Sequence, residues 1–278
     1  MRFHKHDLLK SGVYIEQIKH LPRIIRLIES LHPIKTEHAL IRFGSPHDGG
    51  YLVPDDLAGI NVCFSPGVET NASFEMDIFN QKGIISHLTD YSVESPPTGY
   101  QPASFTKKYL GCLDDEKFIT LDAWVGEQAQ RISDEDFLLQ MDIEGAEYLT
   151  LLAVSEAVLK KFRIMIVEIH HVEAWASAAF FGIVETFFNK LLKHFYIVHN
   201  HPNNNEKIIS IGGVEAPSVF ELSLIRKDRV QKIDYCLQFP HALDQPNIPT
   251  KPDIVLPRNW FFDRSLDNTK LHGPTSPG

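Results

Sequence analysis

The chain has 278 residues, 43% hydrophobic and 23% charged, a balance that excludes a disordered polypeptide and suffices for one large α/β domain with a buried core. Acidic side chains outnumber basic ones 36 to 27, for a formal net charge of −9, and no basic run offsets this, so nucleic acid is excluded as an expected partner. Cys63, Cys112 and Cys236 lie far apart without C-x-x-C spacing, the opening MRFHKHDLLKSG has no apolar signal region, and no apolar run approaches the ~18 residues of a membrane span; the expected setting is the reducing cytoplasm.

From Val13 to Leu31, Ile15, Ile18, Leu21, Ile25 and Ile28 recur at helical steps, with Pro22 marking a break or restart. Two short β-like pieces then flank a tight turn at Asp48-Gly49-Gly50. An alternating pattern follows. Asn61 to Ser65 is a short apolar run, ASFEMDIFNQKG is a helix ending at Gly83, and Ile84 to Thr89 is a second apolar run leading to Asp90. After a proline-rich loop come a strand over Lys117 to Leu121, a helix from Asp122, and a strand over Phe137 to Met141 that leads to Asp142. EGAEYLTLLAVSEAVLKKF is strongly helical, Arg163 to Ile169 is a buried strand, a helix runs through Leu191, and strands are expected at Phe195 to Val198 and Val219 to Ile225. Short apolar strands alternating with helices imply parallel βαβ units and an open sheet covered on both faces. The order reads as an N-terminal helical extension over 1–40, a main domain over 41–235 and a proline-rich tail over 236–278 packed on it; there are no internal repeats.

Ligands of open α/β sheets bind beyond the carboxyl ends of the strands, so the residues that end each strand are the candidates. The first run ends at Ser65-Pro66-Gly67 and leads to Glu69, Thr70 and Asn71. Gly67 permits close backbone approach to a ligand. Asp90, about 20 positions further on, sits where a carboxylate takes the hydroxyls of a nucleoside ribose. PGVETN is not G-x-G-x-x-G, which disfavours a pyrophosphate and hence a nicotinamide dinucleotide. Asp142 ends the central strand ahead of Glu144, Gly145, Ala146 and Glu147; the two glutamates also suit the first turn of a helix, where they complement its dipole. In VEIHHVEAW, alternation puts Glu168 and His170 on one face, so Asp142, Glu168 and His170 line adjacent strand ends. That O,O,N set suits a divalent cation, Mg²⁺ or Mn²⁺; alternatively Glu168 orients His170 as a general base. VHNHPNNN, placed just after a strand, offers His199 and His201 as further ligands or as turn chemistry. No G-x-S-x-G elbow, P-loop or H-E-x-x-H is present.

Taken together, DGGYLVP (48–54), CFSPGVETNASFE (63–75), ITLDAWV (119–125), QMDIEGAEYLTLL (140–152) and IVEIHH (166–171) resemble the FkbM-type family of S-adenosylmethionine-dependent methyltransferases, with M-D-I-E-G-A-E the most specific element. The resemblance covers about residues 40 to 225. It implies a class I, Rossmann-like, mostly parallel seven-stranded sheet with helices on both faces and a helical and hairpin N-terminal extension. It further implies O-methylation of a hydroxyl on a sugar, glycan or natural product. Gly67, Glu69 and Asn71 would face the methionine part of the cofactor, Asp90 the ribose, and Asp142 the reacting centre. Where the commoner family pattern ends the first strand in an Asp followed by G-x-N-x-G, this chain has SPGVETN. Two alternatives stay open: a nicotinamide-dependent oxidoreductase, and a cofactor- or glycan-binding protein without turnover. The acceptor is a small molecule or glycan; the sequence leaves oligomeric state open.

Overall fold

Strands buried on both faces need apolar side chains at every position, and the chain supplies such runs at regular intervals. The computed structural model describes residues 5–97, 99–129 and 136–263. Seven of its strands form the central sheet: β1 (Val62–Pro66), β2 (Ile85–Thr89), β3 (Ser104–Thr106), β4 (Phe137–Met141), β5 (Phe162–Ile169), β6 (Phe195–Pro202) and β7 (Phe220–Arg226). Their order across the sheet is β3-β2-β1-β4-β5-β7-β6, and β7 alone runs against the rest. This is the Rossmann-like α/β class the sequence pointed to. Six strands therefore end along one edge, at which the candidate residues emerge.

Five helices flank the sheet: α1 (Leu21–Ser30), α2 (Ser73–Lys82), α3 (Leu121–Ala129), α4 (Glu147–Ala153) and α5 (Ala178–His194). The two-residue period of the strands divides the core. Val62, Phe64, Leu139, Met165 and Val167 face α1, α3, α4 and α5, together with Trp175 and Trp260. Cys63, Leu138, Ile164 and Ile166 face the other way, against α2 and an antiparallel hairpin of Leu40–Gly44 with Gly50–Pro54. The hairpin is pinned to the sheet by the Ser223 hydroxyl, which donates to the Leu52 carbonyl at 2.5 Å. Its tip leans on the loop after β1, where Asn71 Nδ2 donates to the Asp48 carbonyl at 3.3 Å. Ile24, Leu27 and Ile28 of α1 and Trp260 of the C-terminal segment are buried in the same cluster as the sheet.

Several expectations are corrected. Residues 13–20 are not helical; helix begins only at Leu21. Pro22 lacks an N–H and its ring clashes with a preceding turn, so it fits the first turn of α1 but not the interior of a helix running from Val13. Residues 13–20 have no regular secondary structure, with Val13, Tyr14 and Ile15 exposed. KFITL does not join the sheet: Phe118–Thr120 pairs with Tyr109–Gly111 in a separate two-stranded ladder. The third sheet position is taken by Ser104–Thr106, in what reads as a loop, because a half-buried edge strand of three residues carries no apolar run. The long helical stretch after Asp142 is two pieces, α4 and Glu156–Leu159, interrupted where Val154 is extended and Ser155 caps the second. His199 and His201 lie inside β6 rather than after it. The part of the tail from residue 264 lies outside the described residues, as do residues 1–4. No helix among the described residues is long and apolar enough to cross a membrane.

Candidate active site

A cavity of about 600 Å³ opens at the carboxyl ends of β1, β2 and β4. The loop after β1 forms one wall with Gly67, Glu69 and Asn71, Asp90 stands at the tip of β2, and Asp142 follows β4 directly. All five residues expected to meet a cofactor thus line one cavity. Tyr109, Leu110 and Phe118, contributed by the small ladder, give it an apolar side, and Asp48, Gly49 and Tyr51 of the hairpin tip close it opposite. Tyr109, Leu110 and Phe118 were not singled out in the sequence as site residues, because they come from segments distant in the chain and carry no motif, while the hairpin tip was legible only as the DGGYLVP stretch and not as a cavity wall.

The loop after β1 owes its shape to internal bonds. Gly67 has φ +79 and its N–H donates to the Thr89 carbonyl at 3.0 Å. A Cβ on Gly67 would lie 1.7 Å from the Asp142 carbonyl oxygen. The glycine is therefore required for close approach of β1 to β4. Gly67→Ala is expected to displace Asp142 and to cost most of the binding at this cavity, with calorimetric titration as the readout. Glu69 also has a left-handed backbone, φ +43, and its N–H donates to Asp90 Oδ2 at 2.8 Å. Asp90 Oδ1 accepts from the Ser92 N–H and hydroxyl, both at 2.7 Å. Asp90 thus ties both loops together while lining the cavity. Below, Ser65 Oγ bonds Gln140 Oε1 at 2.8 Å and the carboxyl of Glu75, whose pKa burial raises.

Glu144 and Gly145 do not open a helix. Both have positive φ, 55° and 100°, and make a tight turn that brings Glu147 back under β4 at the start of α4. Glu147 is fully buried, and its Oε1 accepts from the Ile143 N–H at 3.1 Å, the Gly145 N–H at 3.2 Å and His170 Nδ1 at 3.1 Å. A helix-start glutamate has an ordinary explanation in sequence, and only the turn reveals this one as the anchor of the site. The His170 backbone is fixed as well, its carbonyl accepting from the Tyr148 hydroxyl at 2.9 Å.

Since Glu147 can only accept, the proton at that contact is on Nδ1 and His170 presents Nε2 to the strand ends. Around Nε2 lie Glu144 at 3.6 Å, Asp142 at 3.8 Å and Glu168 at 4.0 Å. The structure therefore brings Asp142, Glu168 and His170 together. Ligand atoms of Asp142, Glu147 and His170 also fall within 4.8 Å of one another. Glu147 Oε1 is occupied by three donors and stands behind the histidine, while its Oε2 is buried without a hydrogen-bond partner.

Burial pushes Asp142 up to about 7, against the opposing pull of His170 and with the help of Glu144 and Glu147. Burial likewise raises Glu168 well above the carboxylate range, reinforced by Asp142 and Glu221. Burial alone would lower His170, but its bond to Glu147 and the charges of Glu147, Asp142 and Glu144 raise it. Two neighbouring carboxyls with raised pKa values beside an imidazole whose pKa is also raised are an arrangement matched to proton movement near neutrality. Glu168 also accepts from Asn203 Nδ2 at 2.8 Å.

His199 and His201 are drawn elsewhere. His199 Nε2 lies 2.9 Å from Asp244, and His201 sits 3.7 Å from Glu221 and 3.5 Å from Asp253, so both fasten the C-terminal segment to β6 and β7.

Comparison with known families points the same way as this geometry. Residues 74–196 match the methyltransferase FkbM domain. The matched span contains Asp90, Asp142, Glu147, Glu168 and His170, whereas Gly67, Glu69 and Asn71 precede it. The match supports a methyltransferase. No curated protein matches the sequence significantly.

Proposed function

We propose that the chain is an S-adenosylmethionine-dependent O-methyltransferase acting on a hydroxyl of a sugar, glycan or natural product. The supporting observation is the position of Asp142, which lines the cavity and at the same time faces His170 and Glu168. The cavity is large enough for the cofactor, with an apolar side for an adenine and Asp90 at the strand tip for a ribose. Because the sulfonium already activates the methyl group, the protein's main task is to hold acceptor and donor in line, an effect that reaches ~7–11 kcal/mol in well-oriented reactions. The acceptor oxygen must also lose a proton as the new C–O bond forms. Asp142 Oδ1 is buried without a hydrogen-bond partner, and its raised pKa suits it to receive that proton. His170 and Glu168 set its charge, and Glu147 fixes the imidazole.

The donor set also fits a divalent cation, Mg²⁺ or Mn²⁺, held by Asp142, Glu168 and His170 Nε2 with Glu147 behind the histidine. Such an ion would lower the pKa of the acceptor hydroxyl. Dialysis against a chelator is expected to lower turnover, with recovery on adding Mg²⁺ or Mn²⁺. Full turnover by the metal-free protein would remove the ion and leave Asp142 as the base. Residues 41–235 are the proposed catalytic domain, flanked by 1–40 and 236–278, and three free thiols fit a reducing, cytoplasmic setting. The family match leaves the nicotinamide alternative without support. A binding protein without turnover would take up S-adenosylmethionine but release no methylated product.

A further inference from the structure

The lining of the cavity is one-sided in charge. Asp48, Glu69, Glu75, Asp90, Asp142 and Glu144 contribute carboxyl groups, and no lysine, arginine or histidine lines it among the described residues. Arg42 Nη2 donates to the Ser45 and His47 carbonyls, and His170, behind the lining, holds Glu147 through Nδ1 and faces Glu144 at 3.6 Å and Asp142 at 3.8 Å through Nε2, so the one-sided charge rests chiefly on Asp48, Glu69 and Asp90. Glu75 is bonded to Ser65 beneath the floor, while Asp48 and Glu69 are exposed residues of the cavity lining. Low-dielectric walls carrying one sign of charge concentrate ligands of the other sign and repel their own.

We infer that this cavity selects for positive charge: it holds the sulfonium cofactor more tightly than the neutral thioether product, and it admits amine-bearing hydroxyl acceptors such as amino sugars while turning away phosphorylated and carboxylated ones. The inference rests on the cavity being the S-adenosylmethionine site. Methyl transfer carries the positive charge off the sulfur and releases a proton from the acceptor oxygen, so the cofactor passes from a net charge of about +1 to about zero at neutral pH. The carboxylates that favour entry of the cation therefore no longer favour the product, which promotes release and limits product inhibition.

The test is calorimetric titration of the full chain with S-adenosylmethionine and with S-adenosylhomocysteine, at low and at high salt, for the wild type and for Asp48→Asn/Glu69→Gln. Expected is a preference of about tenfold for the sulfonium at low salt, shrinking at high salt and in the double variant. Equal or tighter binding of S-adenosylhomocysteine, or a preference indifferent to both salt and the double variant, would overturn it. So would tighter binding of glucose 6-phosphate than of glucosamine to the protein loaded with S-adenosylhomocysteine. Absence of binding by either cofactor form would instead overturn the methyltransferase site reading itself, and this inference with it.

Discussion

Asp142→Asn is expected to slow methyl transfer by about 10²–10⁴-fold while leaving S-adenosylmethionine affinity nearly unchanged. The amide keeps the size of the side chain in the cavity lining but cannot take a proton from an acceptor hydroxyl. Single-turnover transfer from labelled cofactor measures the first effect and calorimetry the second. The wild-type profile carries its own signature. Since burial raises Asp142 from the ordinary range near 3.9 to about 7, activity that needs the carboxylate is lost as pH falls through neutrality rather than through the usual acid range. The same shift acts oppositely on stability. A carboxyl whose folded pKa is raised favours the fold while protonated, and that contribution is lost as pH rises through the raised value. An Asn variant that transfers methyl groups at the wild-type rate would remove Asp142 from the chemistry.

Glu147→Ala has the largest expected effect on stability. It leaves the Ile143 and Gly145 amides and His170 Nδ1 without their acceptor, in a place where Glu147 is fully buried. Losing such a buried, multiply bonded carboxylate costs about 3–5 kcal/mol, visible as a lower denaturation midpoint. Glu147→Gln separates positioning from folding. Its Oε1 still accepts, so the turn should survive, but the negative charge that raises His170 is gone. The imidazole then loses its proton at lower pH, and the pH–rate profile should move with it. A Gln variant with an unchanged profile would confine Glu147 to a structural role.

The parts of this molecule visible in its sequence are those with local causes. β1, β2, β4 and β5 announce themselves as apolar runs, α2 ends at a glycine with φ +72, and the ends of β2, β4 and β5 deliver Asp90, Asp142 and Glu168 to the edge where ligands bind. Residues that depend on long-range closure were not visible. Glu147 looks like any acidic helix start until the left-handed turn at Glu144 and Gly145 folds it beneath the strand. Tyr109 and Phe118 become a cavity wall only through pairing of two three-residue strands outside the sheet. Gly67 was legible as a residue under constraint, but the constraining atom, the Asp142 carbonyl, lies 75 positions away in sequence and adjacent in space. His199 and His201 resemble ligands in sequence because their partners Asp244 and Asp253 arrive from the C-terminal segment.

The central claim is that the cavity bounded by the loop after β1, Asp90 and Asp142 is the S-adenosylmethionine site. Calorimetric titration of the purified chain with that cofactor, for the wild type and Asp90→Ala, tests it most directly, with melting curves to confirm that both proteins are folded. Micromolar binding by the wild type, weakened by at least about tenfold in the variant, is the predicted result. No binding by the folded wild type, or equal binding by both proteins, would contradict it.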